Sequence, residues 1–196
     1  MVPYVNGLLW DQGNESWKAD NAEQGAIKGP DGQVLVLTFS GNRHVAMCPG
    51  SSFWRDRSTE FCKQLAGRYG VDGVYFDFLT AQFGDCYDTD HGHAVGGGNF
   101  WTASTRAYYK QMRDQIKRLN PDTLLTGEHN AEWTIDILDT QLAMSDEKAP
   151  GVPLFQAVYH GYTLLFGQPG NRGVYRGDLE PQTLGRWWLR GNQNGW

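Results

Sequence analysis

The sequence predicts an α/β fold of parallel strand–helix units, a TIM-type (β/α) barrel that is incomplete and lacks its first strand–helix units. Three observations carry that expectation. The run Val71-Asp-Gly-Val-Tyr-Phe-Asp-Phe78 is short, mostly apolar and preceded by Gly70, the pattern of a buried parallel strand. Strand-like and helix-like segments alternate along the chain, as βα units require. Roughly five or six strand positions are legible, whereas a complete barrel has eight and needs about 250 residues. An open doubly wound sheet is the rival, but no Gly-x-Gly-x-x-Gly or Gly-x4-Gly-Lys loop follows any strand. A chain of 196 residues can bury one real core, so residues 1–196 are read as a single partial-barrel domain.

The elements follow in order. Pro3–Trp10 reads as a strand closed by Asp11-Gln-Gly-Asn, with Asn6, Trp10 and Asp11 at or beyond its C-terminal part. Residues 12–33 are polar and glycine-rich, a loop with a short helical piece around Trp17–Ala26. Val34–Phe39 is a β-type run, a hairpin arm inserted in that loop, and Val45–Pro49 is a short apolar run stopped by proline. Ser51 or Ser52 can cap a helix from about Phe53 to Tyr69, where Phe53, Phe61, Leu65 and Tyr69 recur at helical spacing. The strand at 71–78 follows at once. Residues 79–99 hold five glycines and form a long loop, and long loops inside compact domains are usually functional. A helix over Phe100–Leu119 ends at Asn120-Pro121. Thr123–Thr126 is a strand with Gly127-Glu128-His129-Asn130 at its end. Ala131–Ile137 is expected to be a short helix, Leu138–Ala143 and Pro153–Tyr159 strands, and Tyr162–Phe166 and Leu179–Leu189 helices.

Composition bounds the partners. Net charge is −5 with no basic run, which argues against nucleic acid. No apolar run approaches the ~18 residues of a membrane span. The first residues have no basic n-region or long apolar stretch, so no signal peptide is read there and a cytoplasmic location is the default. Three cysteines, Cys48, Cys62 and Cys86, cannot all pair, and a reducing compartment is expected, with Cys48 and Cys62 as buried packing residues. Aromatic residues make up 13% of the chain. Such a surplus fits sugar binding, where a ring face stacks on a pyranose, and a large aromatic core equally well.

The chemistry centres on two carboxylates. Asp77 and Glu128 end successive predicted strands, and in a parallel barrel both would point into one mouth. Glycoside hydrolysis needs such a pair, one as nucleophile or base and one as acid. Either residue alone could instead be structural, Asp77 accepting backbone N–H groups and Glu128 capping a helix near Asn130. Asn6, Trp10, Asp11, His91, His93, His129, Asn130 and His160 are candidate substrate-binding residues; Trp101 is a rim alternative and Asp139 a third mouth acid if Leu138–Ala143 is a strand. Glu132 would share a helix face with Glu128 if both were helical. Cys86, Asp90, His91 and His93 lie close in sequence. His-x-His with one nearby cysteine is not a recognised closed zinc spacing, so no metal and no cofactor is expected.

Several motifs together resemble a known family: Tyr4-Val-Asn-Gly-Leu-Leu-Trp-Asp11, Met47-Cys-Pro49, Gly70-Val-Asp-Gly-Val-Tyr-Phe-Asp77, Cys86-Tyr-x-x-x-His-Gly-His93, Gly96-Gly-Gly98, Thr126-Gly-Glu-His-Asn-Ala-Glu132 and Pro153-Leu-Phe-x-x-Val-Tyr-His160. The family is an uncharacterised bacterial one of glycoside-hydrolase-like barrels, more remotely similar to the α-amylase and endo-α-N-acetylgalactosaminidase group. The resemblance implies a retaining mechanism, with Asp77 as nucleophile and Glu128 as acid/base, acting on an oligo- or polysaccharide. It also implies two missing N-terminal strand–helix units, which would leave open sheet edges for a homo-oligomer to cover. A non-catalytic carbohydrate-binding barrel fragment is the alternative, and a metal-dependent hydrolase using the His91/His93 loop a third.

Overall fold

The computed structural model describes residues 1–39, 41–143 and 153–167. The predicted strand at 71–78 is β5 (Gly73–Asp77), and all five of its residues are buried. It lies in a parallel sheet with β1 (Tyr4–Asn6), β6 (Leu124–Gly127), β7 (Thr140–Leu142) and β8 (Leu164–Phe166), in the spatial order β1-β5-β6-β7-β8. A second, antiparallel sheet holds β2 (Leu9–Asp11), β4 (Asn42–Ala46) and β3 (Val36–Phe39), in that order. The expected α/β class and parallel sheet are therefore found. Among the described residues the parallel sheet stays open, with β1 and β8 as its edges.

Side chains on a strand alternate between faces. On one face Val74, Phe76 and Leu125 join a core with α2 (Ser52–Gly67) and α3 (Phe100–Leu119), through Cys62 and Ala66 of the first and Tyr108, Tyr109, Met112 and Ile116 of the second. The apolar spacing along both helices makes this stripe, and Gly70, at a left-handed φ of 58°, turns the chain from α2 toward β5. Burial of these aliphatic and aromatic groups is the main stabilising term, at about 1.5–3 kcal/mol for each large side chain. Asp139 ties the far end of the layer together. Its carboxylate pairs with Arg113 at 2.9 Å and Lys117 at 2.8 Å from α3 and accepts the Leu125 N–H at 2.8 Å. Burial opposes ionisation there, but the two cations and the N–H hold the carboxyl below its usual range. Asp139 is thus a structural anchor.

Several boundaries differ from expectation. The strand expected over Pro3–Trp10 is two strands in two sheets. Asn6 Oδ1 accepts the N–H groups of Leu8 and Leu9 at 3.1 and 2.9 Å, and this side-chain turn swings the chain out of β1 and into β2. The helical piece at 17–26 divides into α1 (Glu15–Ala19), capped by Asn14, and a 3-10 turn at Ala22–Gly25. Only a 3-10 turn, Glu132–Thr134, stands where a helix was expected over Ala131–Ile137. Pro153–Tyr159, expected as a strand, forms α4 (Leu154–Tyr159), in which Phe155 and Tyr159 pair one turn apart with ring centroids 4.9 Å from each other. The expected helix at Tyr162–Phe166 instead contains β8. Apolar runs this short satisfy both periodicities, and pairing with β7 decides the second. The helix expected over Leu179–Leu189 lies outside the described residues.

A side chain at Gly73 would have no room. A Cβ there would sit 2.7 Å from the Leu124 carbonyl oxygen and 2.8 Å from Leu124 Cβ on the adjacent strand. Gly73→Ala should therefore destabilise the fold by about 1–3 kcal/mol, read as a lowered midpoint of urea unfolding. Gly161→Ala, where a Cβ meets no atom within 4 Å, should leave the midpoint nearly unchanged.

Candidate active site

The register of the parallel sheet decides which side chains meet. Tyr4 pairs with Tyr75 and Asn6 with Asp77, while Tyr75 pairs with Thr126. In parallel strands paired residues share a face, so Tyr4, Asp77 and the residue after Gly127, Glu128, belong to the face opposite the helices. Asp77 ends β5 and is 6% exposed. The backbone carries the register one step further: Glu128 N–H donates to the Phe76 carbonyl at 2.8 Å, and Gly7 N–H to the Asp77 carbonyl at 3.2 Å.

The two carboxyls influence each other electrostatically. Burial, then a side-chain hydrogen bond and the charge of Asp77, push Glu128 up to about 7; the Phe78 N–H, 3.3 Å from Glu128 Oε2, only partly opposes them. On the other side the Tyr4 hydroxyl donates to Asp77 Oδ2. Burial, with the hydrogen bond to Asp77 and its charge, raises Tyr4 far above the usual phenol range, so its proton stays in place as a donor. The residues that follow the two acids, Phe78 and His129, have left-handed backbones with φ of 56° and 64°. Such conformations cost about 1–3 kcal/mol in a non-glycine residue and concentrate at functional sites. His129 Nδ1 lies 3.7 Å from Glu128 Oε2.

The remaining predicted residues divide. His129 and Asn130 directly follow Glu128, on a loop held by Gln141. That residue is fully buried, and its Oε1 accepts the Ala131 N–H at 2.9 Å and the Thr134 hydroxyl at 2.8 Å. Asn6 spends its side-chain oxygen on the turn into β2. Trp10 packs in an aromatic cluster with Trp17, Phe53 and Trp54, its indole N–H donating to Ser16 at 3.2 Å. Asp11 accepts the Gly13 N–H at 2.8 Å in a surface turn. His160 caps α4, with Nδ1 2.7 Å from the Gln156 carbonyl oxygen, rather than ending a strand. Glu132 accepts the Tyr159 hydroxyl at 2.6 Å. Trp101 is buried. His91 contacts Cys86, and His93 contacts Cys48, within one side-chain cluster. Cys48 is thus more than packing, and Asp90 is not part of that cluster. Sequence reasoning missed Tyr4 and Gln141. The alternation Tyr4-x-Asn6 was the available signal for the first; a glutamine in an apolar strand is a weak one for the second.

The chain is similar to several known proteins. A Bacteroides thetaiotaomicron protein named "Putative glycoside hydrolase" is 33% identical over 176 residues, covering 84% of this chain and 26% of that protein. A Monosiga brevicollis protein, "Putative glycoside hydrolase 22789", is 29% identical over 183 residues, covering 85% of this chain and 15% of its own length. The chain therefore spans about a quarter or less of these relatives. Among solved structures, the fold is similar to an α-N-acetylgalactosaminidase from Bifidobacterium bifidum in complex with GalNAc, at TM-score 0.69 and 17% identity over 97% of this chain and 30% of that one. It is also similar to an α-galactosidase from Thermus thermophilus in complex with stachyose, at TM-score 0.64 and 13% identity over 97% of this chain and 44% of that one. The family described as "Domain of unknown function (DUF6259)" matches residues 1–169, and the chain belongs to that family.

Proposed function

We propose that this chain carries the catalytic carboxylates of a retaining glycoside hydrolase, and that its parallel sheet is an arc of a (β/α) barrel. The observation that carries the reading is the Asp77–Glu128 pair: two interacting acids at the C-terminal ends of adjacent parallel strands, one with its proton held to about 7. Sequential strand order without a reversal is what a barrel arc requires. The names of the relatives and of the similar structures point the same way.

The division of labour follows from the surroundings. Asp77, held by the Tyr4 hydroxyl, attacks the anomeric carbon, while Glu128 gives its proton to the departing glycosidic oxygen. Glu128, now a carboxylate, then takes a proton from the water that attacks the same carbon and releases Asp77. A retaining mechanism calls for carboxyls about 5–5.5 Å apart, and an inverting one for about 6.5–9.5 Å. His129 and Asn130, next to Glu128, are the substrate-binding candidates best placed to meet a sugar. The substrate class is an O-glycoside of an oligo- or polysaccharide, and α-linked galactose and N-acetylgalactosamine are the first to try, given what the similar structures are named for.

The test is hydrolysis of aryl glycosides and oligosaccharides by the purified protein, with the product anomer followed by NMR. Retention is expected. Asp77→Asn should reduce turnover to background. Glu128→Gln should cost about 10²–10⁴ in kcat/KM on substrates with poor leaving groups, and less on activated aryl glycosides. Full activity in either variant, or an inverted product, would overturn the assignment; sugar binding with no turnover in the parent protein would return it to a carbohydrate-binding domain.

Two pH effects follow from the raised Glu128. The acid must be protonated to act, so kcat/KM should fall as pH rises through about 7, and that limb should vanish in Glu128→Gln. Stability has the same sign. The folded state holds a proton that the unfolded state releases near 4.5, so unfolding free energy should decline as pH rises from about 4.5 to about 7. Glu128→Gln should flatten that decline in urea titrations at pH 5 and 8.

A further inference from the structure

A second constellation lies in the long loop, and the carboxylate chemistry makes no use of it. Cys48 follows β4, Cys86 sits midway in the 79–99 loop, and His91 and His93 flank Gly92. Their four ligand-type atoms lie within 4.8 Å of one another. We propose that Cys48, Cys86, His91 and His93 form a closed Cys2His2 site for a tetrahedral transition-metal ion, zinc above all, that staples the 79–99 loop to the segment after β4.

The spacing fits such an ion. Zinc–sulfur bonds of about 2.3 Å and zinc–nitrogen bonds of about 2.0–2.1 Å set tetrahedral ligands roughly 3.3–3.8 Å apart. Cys48 Sγ lies 3.2 Å from His93 Nε2, and Cys86 Sγ 3.3 Å from His91 Nδ1. The other pairs need close by no more than about 1–1.5 Å.

The outer partners fix both imidazoles in the form a metal requires. His91 Nε2 is 2.9 Å from the Gln24 carbonyl oxygen, which can only accept, so Nε2 carries the hydrogen and the Nδ1 lone pair faces Cys86. Asp88, itself paired with Lys28 at 2.7 Å, stands 3.7 Å from the same Nε2. His93 Nδ1 is 2.8 Å from the Ala94 carbonyl oxygen, which leaves the Nε2 lone pair facing Cys48. Histidine ligands are commonly oriented in this way, by a carbonyl or carboxylate on the far nitrogen.

The backbone is cut to the site. Gly92 has φ 73°, which lets two histidines separated by one residue face the same point. A Cβ at Gly50 would come within 2.3 Å of His93 Cδ2. Both cysteines are fully buried and His91 is 4% exposed. Two thiolates neutralise a divalent cation, so a bound ion adds no net charge to this interior. Binding is a balanced exchange in which the ion replaces two thiol protons that pass to solvent. His93, the partly exposed ligand, opens on a cleft of about 390 Å³ shared with Arg55, Asn99 and Ser104, a route of entry. Four protein ligands leave no position for water, so the role is structural and independent of the glycosidase reading.

The test is metal analysis of the purified chain from zinc-supplemented medium, then chelation and refilling with Co²⁺. Stoichiometric zinc is expected, and cobalt should give the intense visible bands of a tetrahedral centre with a thiolate charge-transfer band. Cys62→Ser, which alters a buried thiol outside the cluster, should keep the metal; Cys86→Ser and His93→Gln should lose it. Free thiols with no zinc and no cobalt spectrum, a Cys48–Cys86 disulfide in the intact mass, or full metal content in Cys86→Ser would each overturn the proposal. If Cys86→Ser does not fold, the cobalt spectra of the parent and of Cys62→Ser decide between the same outcomes.

Discussion

The parallel pairing of β5 with β1 and β6 is the constraint on which the rest depends. It fixes Tyr4 opposite Tyr75, Asn6 opposite Asp77 and Tyr75 opposite Thr126. Because side chains alternate along a strand, a slip of one residue would send Asp77 into the aliphatic layer under α2 and α3 and bring Phe76 out. The core of Val74, Phe76, Leu125, Tyr109 and Met112 forbids that slip. Packing on one face therefore sets the position of the acids on the other, although none of the core side chains is chemical.

The strand ends show how the fold holds an unfavourable pair. Two neighbouring carboxyls repel when both are charged, and burial penalises each charge. Tyr4 donates to Asp77 and the Phe78 N–H donates to Glu128, yet burial and the neighbouring acid still keep Glu128 near 7. Phe78 and His129 take left-handed backbone at the same level. The sheet supplies the stability that these local costs consume, which fits a site maintained for chemistry rather than for folding.

How much of this was legible in the sequence depended on whether the signal was local. The strand at 71–78, α2, α3 and the two strand-end acids follow from periodicity and punctuation within one segment. Pro153–Tyr159 failed because seven residues of mixed apolar character suit a strand or a helix, and the Phe155–Tyr159 contact that favours helix appears only once the chain is coiled. Asn6 and Trp10 show a second limit, since residue type alone does not reveal the partners a side chain already has. Their residue types suit sugar binding, but Asn6 is consumed by a turn between sheets and Trp10 by three aromatic neighbours, two of them from α2. The cysteine–histidine cluster was only half visible. Cys48 lies 45 residues from His93, so no spacing rule links them, and the nearer Asp90 took its place in a reading confined to the loop.

The loop between the acids joins the two sites physically. It leaves β5 at Phe78, where the ring packs on Phe83 and on Phe39 of the antiparallel sheet, and it returns to α3 at Phe100, whose ring stacks on His93 at 4.4 Å. Between those points it has little regular structure. Its order comes from the bridge between Cys86 and Gly96, the Lys28–Asp88 pair and the contacts of His91 and His93. A loop with five glycines gives up more backbone entropy on ordering than most, at about 1–2 kcal/mol per residue. A cross-link near its middle offsets that cost where hydrogen bonds are sparse. The Cys/His cluster sits at that middle, anchored to β4 through Cys48, and so bears on the position of the peptide that follows Asp77 without touching either acid.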